Sequence, residues 1–171
     1  MYESPEEIDH LQQILDQSAL GAGPHLRNVI TEERRVSARA LCDNLQGMRL
    51  LVIATATSDG RPLAAPVDGY FLHGSFYFTS SRDSVRMHHL AKRPAIGATH
   101  LPGETFAVII HGSAELFEMS EPTGVVLRQA MLDHYLPKVG QDFETWLDND
   151  PQLCARIVSE KIFTFRLEDE S

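Results

Sequence analysis

The densest chemistry in the sequence lies between Phe76 and Arg86. A run that reads as a strand ends in the hydroxyl residues Thr79, Ser80 and Ser81. Arg82 follows, and a helix start at Ser84-Val85-Arg86 brings a second guanidinium into the first turn. Free backbone N–H groups at a helix N-terminus, hydroxyl donors and guanidinium charge together make an anion pocket, and phosphate is its usual occupant. A plainer reading uses the same residues: Ser81 or Asp83 caps a helix and both arginines are solvated. Asp83 counts against an anion unless it points away.

Elsewhere the chemistry is sparser. His88 and His89 are adjacent rather than four apart, and no HExxH or Cys/His cluster accompanies them, so no metal is expected. Cys42 and Cys154 match no redox or metal spacing. His111, mid-strand and followed by Gly112, either faces a cofactor pocket or is a satisfied barrel residue. Tyr135 and Trp146 either roof a substrate cleft or anchor packing. No G-x-S-x-G elbow marks a hydrolase, and no side chain stands out as acid, base or nucleophile.

The surrounding elements must position these groups. Ser4, three residues ahead of Glu7 and followed by Pro5, forms a capping-box start; Ile8, Leu11 and Leu15 then share a helix face. Gly21, Gly23 and Pro24 end that helix, and a second is expected from Thr31 to about Gln46. Arg49 to Thr57 reads as a strand, apolar enough to be buried on both faces. Ser58-Asp59-Gly60-Arg61 turns it into Pro62–Leu72, with positive φ expected at Asp59 and Gly60. His73-Gly74 turns that strand into Ser75–Ser80. A helix over Ser84–Lys92, strands over Ala95–Leu101 and Glu104–Phe117, and a last strand over Lys161–Leu167 follow. Between the last two strands, Met119 to Ser159 carries helical spacing in pieces interrupted by Pro137, Gly140 and Pro151. Consecutive hairpins with about six strands predict an antiparallel α+β domain closing as a barrel or packing as a sandwich.

Composition fits one domain. The chain has 171 residues, 43% hydrophobic and 23% charged, and 15 Lys+Arg against 24 Asp+Glu give a net charge of −9. That sign opposes non-specific nucleic-acid binding. No run of 18 apolar residues predicts a membrane span. The acidic start shows no readable signal peptide, so a cytoplasmic location is expected. The acidic run Glu168-Asp169-Glu170 reads as solubilising.

The run Leu51–Val67, with its Asp59-Gly60 turn and Pro66-Val67, resembles the pyridoxamine 5′-phosphate oxidase-like split-barrel superfamily. The Phe76–Thr79 strand, Ser84–Leu90, Lys92-Arg93-Pro94 and Val108–Leu116 extend the resemblance over about residues 30–167. It implies an α+β fold, a six-stranded antiparallel split β-barrel with flanking helices, over residues 31–171; residues 1–30, outside the resemblance, read as a helical extension. It further implies a homodimer with a flavin-type cofactor, FMN, at the interface. Its phosphate would be held by Thr79, Ser80, Ser81, Ser84, Val85 and Arg86, with Arg82 as a further clamp. Its ring would lie along Ala64, Ala65, Pro66 and Val67, mostly on backbone groups. The implied activity is flavin-dependent hydride transfer to a small conjugated substrate. Alternatives on the same fold are a reductase using the deazaflavin coenzyme F420, whose anionic tail needs a basic groove, and a non-catalytic flavin- or haem-binding protein.

The chain departs from the namesake oxidase at three places. Val85 stands where an arginine is frequent, Ala107 replaces a flavin-facing glutamine, and Thr164–Ser171 lacks the Arg- and His-bearing segment that grips pyridoxal phosphate. Pyridoxamine phosphate oxidation itself is therefore not expected.

Overall fold

The computed structural model describes residues 2–150 and 152–167. Pro151 and the Glu168–Glu170 run lie outside the described residues. Helix α1 (Pro5–Leu20) opens with the expected capping box: Ser4 Oγ accepts from the Glu7 N–H, and Glu7 Oε2 accepts from the Ser4 N–H. Its buried Leu11 and Leu15 join the main core, and Ser18 Oγ accepts a 2.9 Å bond from the Ile162 N–H.

The single helix expected over Thr31–Gln46 is instead broken. A short α2 (Pro24–Val29) occupies the stretch read as a terminator, a 3-10 turn covers Glu32–Arg34, and α3 spans Ala38–Asn44. The break falls where Val36 turns its N–H to Thr164 Oγ1 on the barrel and Ser37 starts a new helix by capping the Ala40 N–H. Tertiary anchoring thus outweighs local helix propensity.

Six strands follow: β1 (Met48–Ala56), β2 (Pro62–Leu72), β3 (Ser75–Ser81), β4 (Ala95–His100), β5 (Phe106–Glu118) and β6 (Gln152–Arg166). They close a barrel in the order β1-β2-β3-β6-β5-β4, every neighbouring pair antiparallel. Helix α4 (Val85–Lys92) crosses between β3 and β4, and α5 (Pro122–Val139) with α6 (Gln141–Asn149) between β5 and β6.

Four local expectations are corrected. β1 alternates rather than being buried on both faces: Leu51 and Ile53 point inward, while Leu50 is 57% and Val52 49% exposed. In the first hairpin only Gly60 takes positive φ; Thr57 bonds both Arg61 and Gly60, giving a three-residue loop with glycine at the left-handed position. The two-residue mirror-image turn is at His73-Gly74, φ 50° and 72°. Pro137 lies within the last turn of α5 and does not interrupt it. Gln152–Ser159 is strand, not helix. Its Ala155 faces the barrel core and its Cys154 the second core under α5, so it lacks the period-two signal of a half-exposed strand.

Two cores result. The barrel interior, plugged by α1 and α3, holds Leu51, Ile53, Phe71, Phe76, Phe78 and Ile110. Outside the barrel, α5 and α6 lay Leu127, Met131 and Leu147 on Tyr70, Leu72 and Tyr77. They cover the far end of β2 and leave its near end bare.

Candidate cofactor site

β2 pairs with β1 from Pro62 to Tyr70, but with β3 only from Gly69 to Leu72. The edge of Pro62–Asp68 turned away from β1 therefore carries no ladder partner. The Pro66 carbonyl shows which way this edge faces, since it accepts a 3.2 Å bond from Arg86 Nη1. Strand groups alternate in direction, so the N–H and C=O of Ala64 and the N–H of Asp68 turn to the same gap. Pro66, with no N–H to leave unpaired, suits an open edge.

The other bank of this gap is the start of α4. Ser84 caps it, accepting from the Met87 N–H, and Ser80 Oγ donates to Ser84 Oγ at 3.0 Å. The N–H groups of Val85 and Arg86 fall in the first turn, where a helix offers them no acceptor. Ile53, Thr55, Leu63 and Ala65 complete the walls of a hollow of about 290 Å³ beneath Ser84 and Arg86. Thr55 was not singled out in the sequence; its hydroxyl and His89 Nδ1 lie 3.0 Å apart, tying β1 to α4.

The expected phosphate residues thus divide. Ser80, Ser84 and Arg86 converge, with Val85 contributing backbone and a 60% exposed side chain. Thr79 and Ser81 fall on the opposite face of β3 from Ser80. Arg82 is drawn away: its Nη2 lies 2.6 Å from Glu118 Oε2, and that carboxylate raises the guanidinium pKa above its ordinary value. Of the ring strand, Ala64 and Pro66 point outward, Ala65 lines the hollow and Val67 enters the core. A phosphate fits the convergent donors, and a flat ring fits the bare edge, where small side chains permit close approach.

Beyond the gap lies an uncovered sheet face. Pro66, Val52, Thr99, Ile109 and Phe163 form one row across five strands, and Ala64, Ala54, Gly97 and His111 the next. His111 is exposed on this face, its ring 6.1 Å from Phe163 edge-on. At the border with α5, Tyr135 donates a very short hydrogen bond to Asp68 Oδ2. Burial, then the Asp68 hydrogen bond and charge, push the Tyr135 phenol up to about 12. Tyr135 stacks on Phe143 at 4.5 Å, and Phe143 leans on Trp146, which is 44% exposed. Asp68 was not singled out in the sequence, although a lone acid within an apolar strand is the signal that marks it.

A second depression, about 490 Å³, lies between the β1–β2 turn and the outer side of α4. Arg61, His88, His89, Lys92 and Arg93 line it, and its one carboxylate, Asp59, is paired with Arg61 at 2.9 Å. Among the described residues no group of three or more His, Cys, Asp or Glu could hold a metal ion, and no helix is long and apolar enough to cross a membrane.

No protein-family model and no curated protein matches the sequence. Solved structures do match the fold. A conserved hypothetical protein of Mycobacterium tuberculosis aligns with TM-score 0.66 at 18% identity, over 82% of this chain and 94% of its own. The haem storage protein HutZ of Vibrio cholerae aligns at 0.58 and 13%, over 68% and 86%. A FAD-binding protein of Mesorhizobium loti aligns at 0.55 and 18%, over 77% and 93%. At such identities the likeness speaks to architecture alone: the chain shares with these proteins an α+β split barrel, six antiparallel strands closed into a barrel with flanking helices.

Proposed function

We propose that this protein is a flavin-dependent oxidoreductase that binds FMN in the gap between β2 and α4. The observation that carries the reading is the unpaired backbone edge of Ala64–Asp68 lying directly across from Ser80, Ser84 and Arg86. Such a gap offers donors for a phosphate and a run of backbone groups for a flat ring. When bound, the flavin supplies the hydride chemistry. Arg86 and the first-turn N–H groups of α4 hold the phosphate. The N–H groups of Ala64 and Asp68 line the gap as fixed donors toward charge developing on the ring. The substrate class is a small, flat, conjugated molecule, and pyridoxamine phosphate is not expected.

A homodimer belongs to this reading. Leu50, Val52 and Leu101 are all exposed, and the rows through Val52 and Ala54 form a mostly apolar outer face. Faces of this kind on a small soluble domain mark association sites, and a self-complementary patch generates a twofold dimer. A second copy seated there would cover the ring and keep water from it.

One observation favours a second reading. The depression lined by Lys92 and Arg93 continues along the same helix from Arg86, about 9 Å away at the helical rise. It is locally basic in a chain of net charge −9. That suits a cofactor whose phosphate carries a further anionic tail, as in a reductase using coenzyme F420.

The visible spectrum of the purified protein, with the released chromophore identified by mass, separates these readings. A two-banded yellow spectrum with the FMN mass supports the first. A cofactor with an anionic tail supports the second. A Soret band with no flavin would replace both with haem binding.

A further inference from the structure

The gap between β2 and α4 has one closed end, and Asp68 stands at it. Gly69 is the first residue of β2 to pair with β3, so Asp68 is the last on the open edge. Its side chain emerges on the same face as Ala64 and Pro66, about 7 Å beyond Pro66. Across β1 its neighbour is the exposed Leu50, and on its other side stands α5. Asp68 is half-buried, and its Oδ2 is fixed by the Tyr135 hydroxyl. Tyr135 is itself immobilised by stacking on Phe143 and by the Lys138 ammonium 5.9 Å from its ring centre. Among the described residues Oδ1 has no hydrogen-bond or ion-pair partner. The surrounding floor, Leu50, Val52, Pro66 and Ala64, is uncharged.

A carboxylate held in one orientation beside an apolar floor, with one oxygen spent and one free, is an acceptor prepared for a donor from a ligand. Placing that oxygen against a ligand edge without a donor would leave it desolvated and unpaired, which is costly. We infer that Asp68, oriented by Tyr135, accepts a hydrogen bond from the imide N–H edge of a planar heterocycle lying along Ala64–Val67. This rests on the flavin reading above and deepens it: the residue selects rings that carry such an edge. Flavins and deazaflavins share it, and a porphyrin does not. Asp68 is then a specificity residue and Tyr135 a positioning residue.

The test is a fluorescence titration of the protein with FMN and with FMN methylated at N3, which keeps the phosphate and ring but lacks the imide proton. Wild type is expected to prefer FMN by about tenfold or more, the usual scale for a hydrogen bond to a charged group. Asp68→Ala is expected to bring FMN down to the affinity of the methylated analogue while leaving the analogue within about twofold. Tyr135→Phe, which frees the carboxylate without removing it, should keep part of the preference. Equal affinities for the two flavins in wild type, with binding still dependent on Arg86, overturn the role of Asp68 and leave the flavin reading standing. The absence of saturable binding by either flavin overturns the reading itself. The comparison in wild type needs no variant to fold.

Discussion

Arg86 and Pro66 meet across the gap: the guanidinium Nη1 donates to the proline carbonyl at 3.2 Å, joining the first turn of α4 to the unpaired edge of β2. One contact thus fixes the spacing between the phosphate donors and the strand meant for the ring. Arg86 retains four further N–H donors for an anion. Arg82, four residues earlier, spends its charge on Glu118. Arg86→Ala is therefore expected to weaken FMN binding by about tenfold or more, and Arg82→Ala by less than about twofold. Titration of both variants with FMN checks this, and equal losses would remove the pocket as drawn.

The residues alone did not divide these arginines; the resemblance put Arg86 ahead of Arg82, the further clamp, without a physical reason. Thr79, Ser80, Ser81, Arg82, Ser84 and Arg86 all read as donors near one helix start. Which of them converge depends on strand parity and on Glu118, which is 36 residues away in the chain. The turn residues and the β2 boundaries were legible because Gly60, Gly74 and Pro62 act locally. The break before Ser37 was not, because Thr164 holds Val36 from the far end of the chain. Neither was β6 before Lys161, where burial on both sides erased the alternation.

Gly112 sits at the β5–β6 irregularity, and a Cβ built there would lie 2.1 Å from the Val158 carbonyl oxygen. The obstacle is backbone, not a flexible side chain, so the ladder itself must move. Gly112→Ala is expected to destabilise the fold by about 3 kcal/mol. Urea unfolding measures it; a change under about 1 kcal/mol would mean that the strands part there at little cost.

Cys42 and Cys154 are both fully buried, and burial, ahead of neighbouring carboxylates, pushes each thiol pKa up to about 12. A thiol so raised offers almost no thiolate at neutral pH. Neither cysteine is expected to react with Ellman's reagent in the native protein, and both should react in denaturant. Prompt labelling of the native protein would show that the core opens around them.

Glu7 links α1 to the β2–β3 turn, its Oε1 3.1 Å from His73 Nδ1. Partial burial pulls its pKa up, but the Ser4 N–H and the His73 ring outweigh this and hold it below its ordinary 4.5. A carboxyl lowered in the folded state contributes stability that is fully present above the unfolded pKa and lost as pH falls through the folded one. The Tm of wild type should thus exceed that of Glu7→Gln at pH 6, and the difference should shrink below pH 4.5. A difference that stays constant across that range would assign the contact no linkage to the Glu7 proton.

Val52 tests the dimer. It is the second residue of the row Pro66–Val52–Thr99–Ile109–Phe163, and its side chain is half-exposed. Because its side chain points away from the barrel, a charged replacement costs the monomer little. In a twofold dimer the same change is made twice and places two like charges in one apolar interface, where each must be desolvated. Val52→Asp is expected to shift the protein from dimer to monomer in sedimentation while leaving its circular dichroism unchanged. FMN affinity should fall in parallel, since the second copy is what covers the ring. A wild type that sediments as a monomer would refute the interface outright. A Val52→Asp variant that remains dimeric would move the interface to another face and leave the ring exposed on this one.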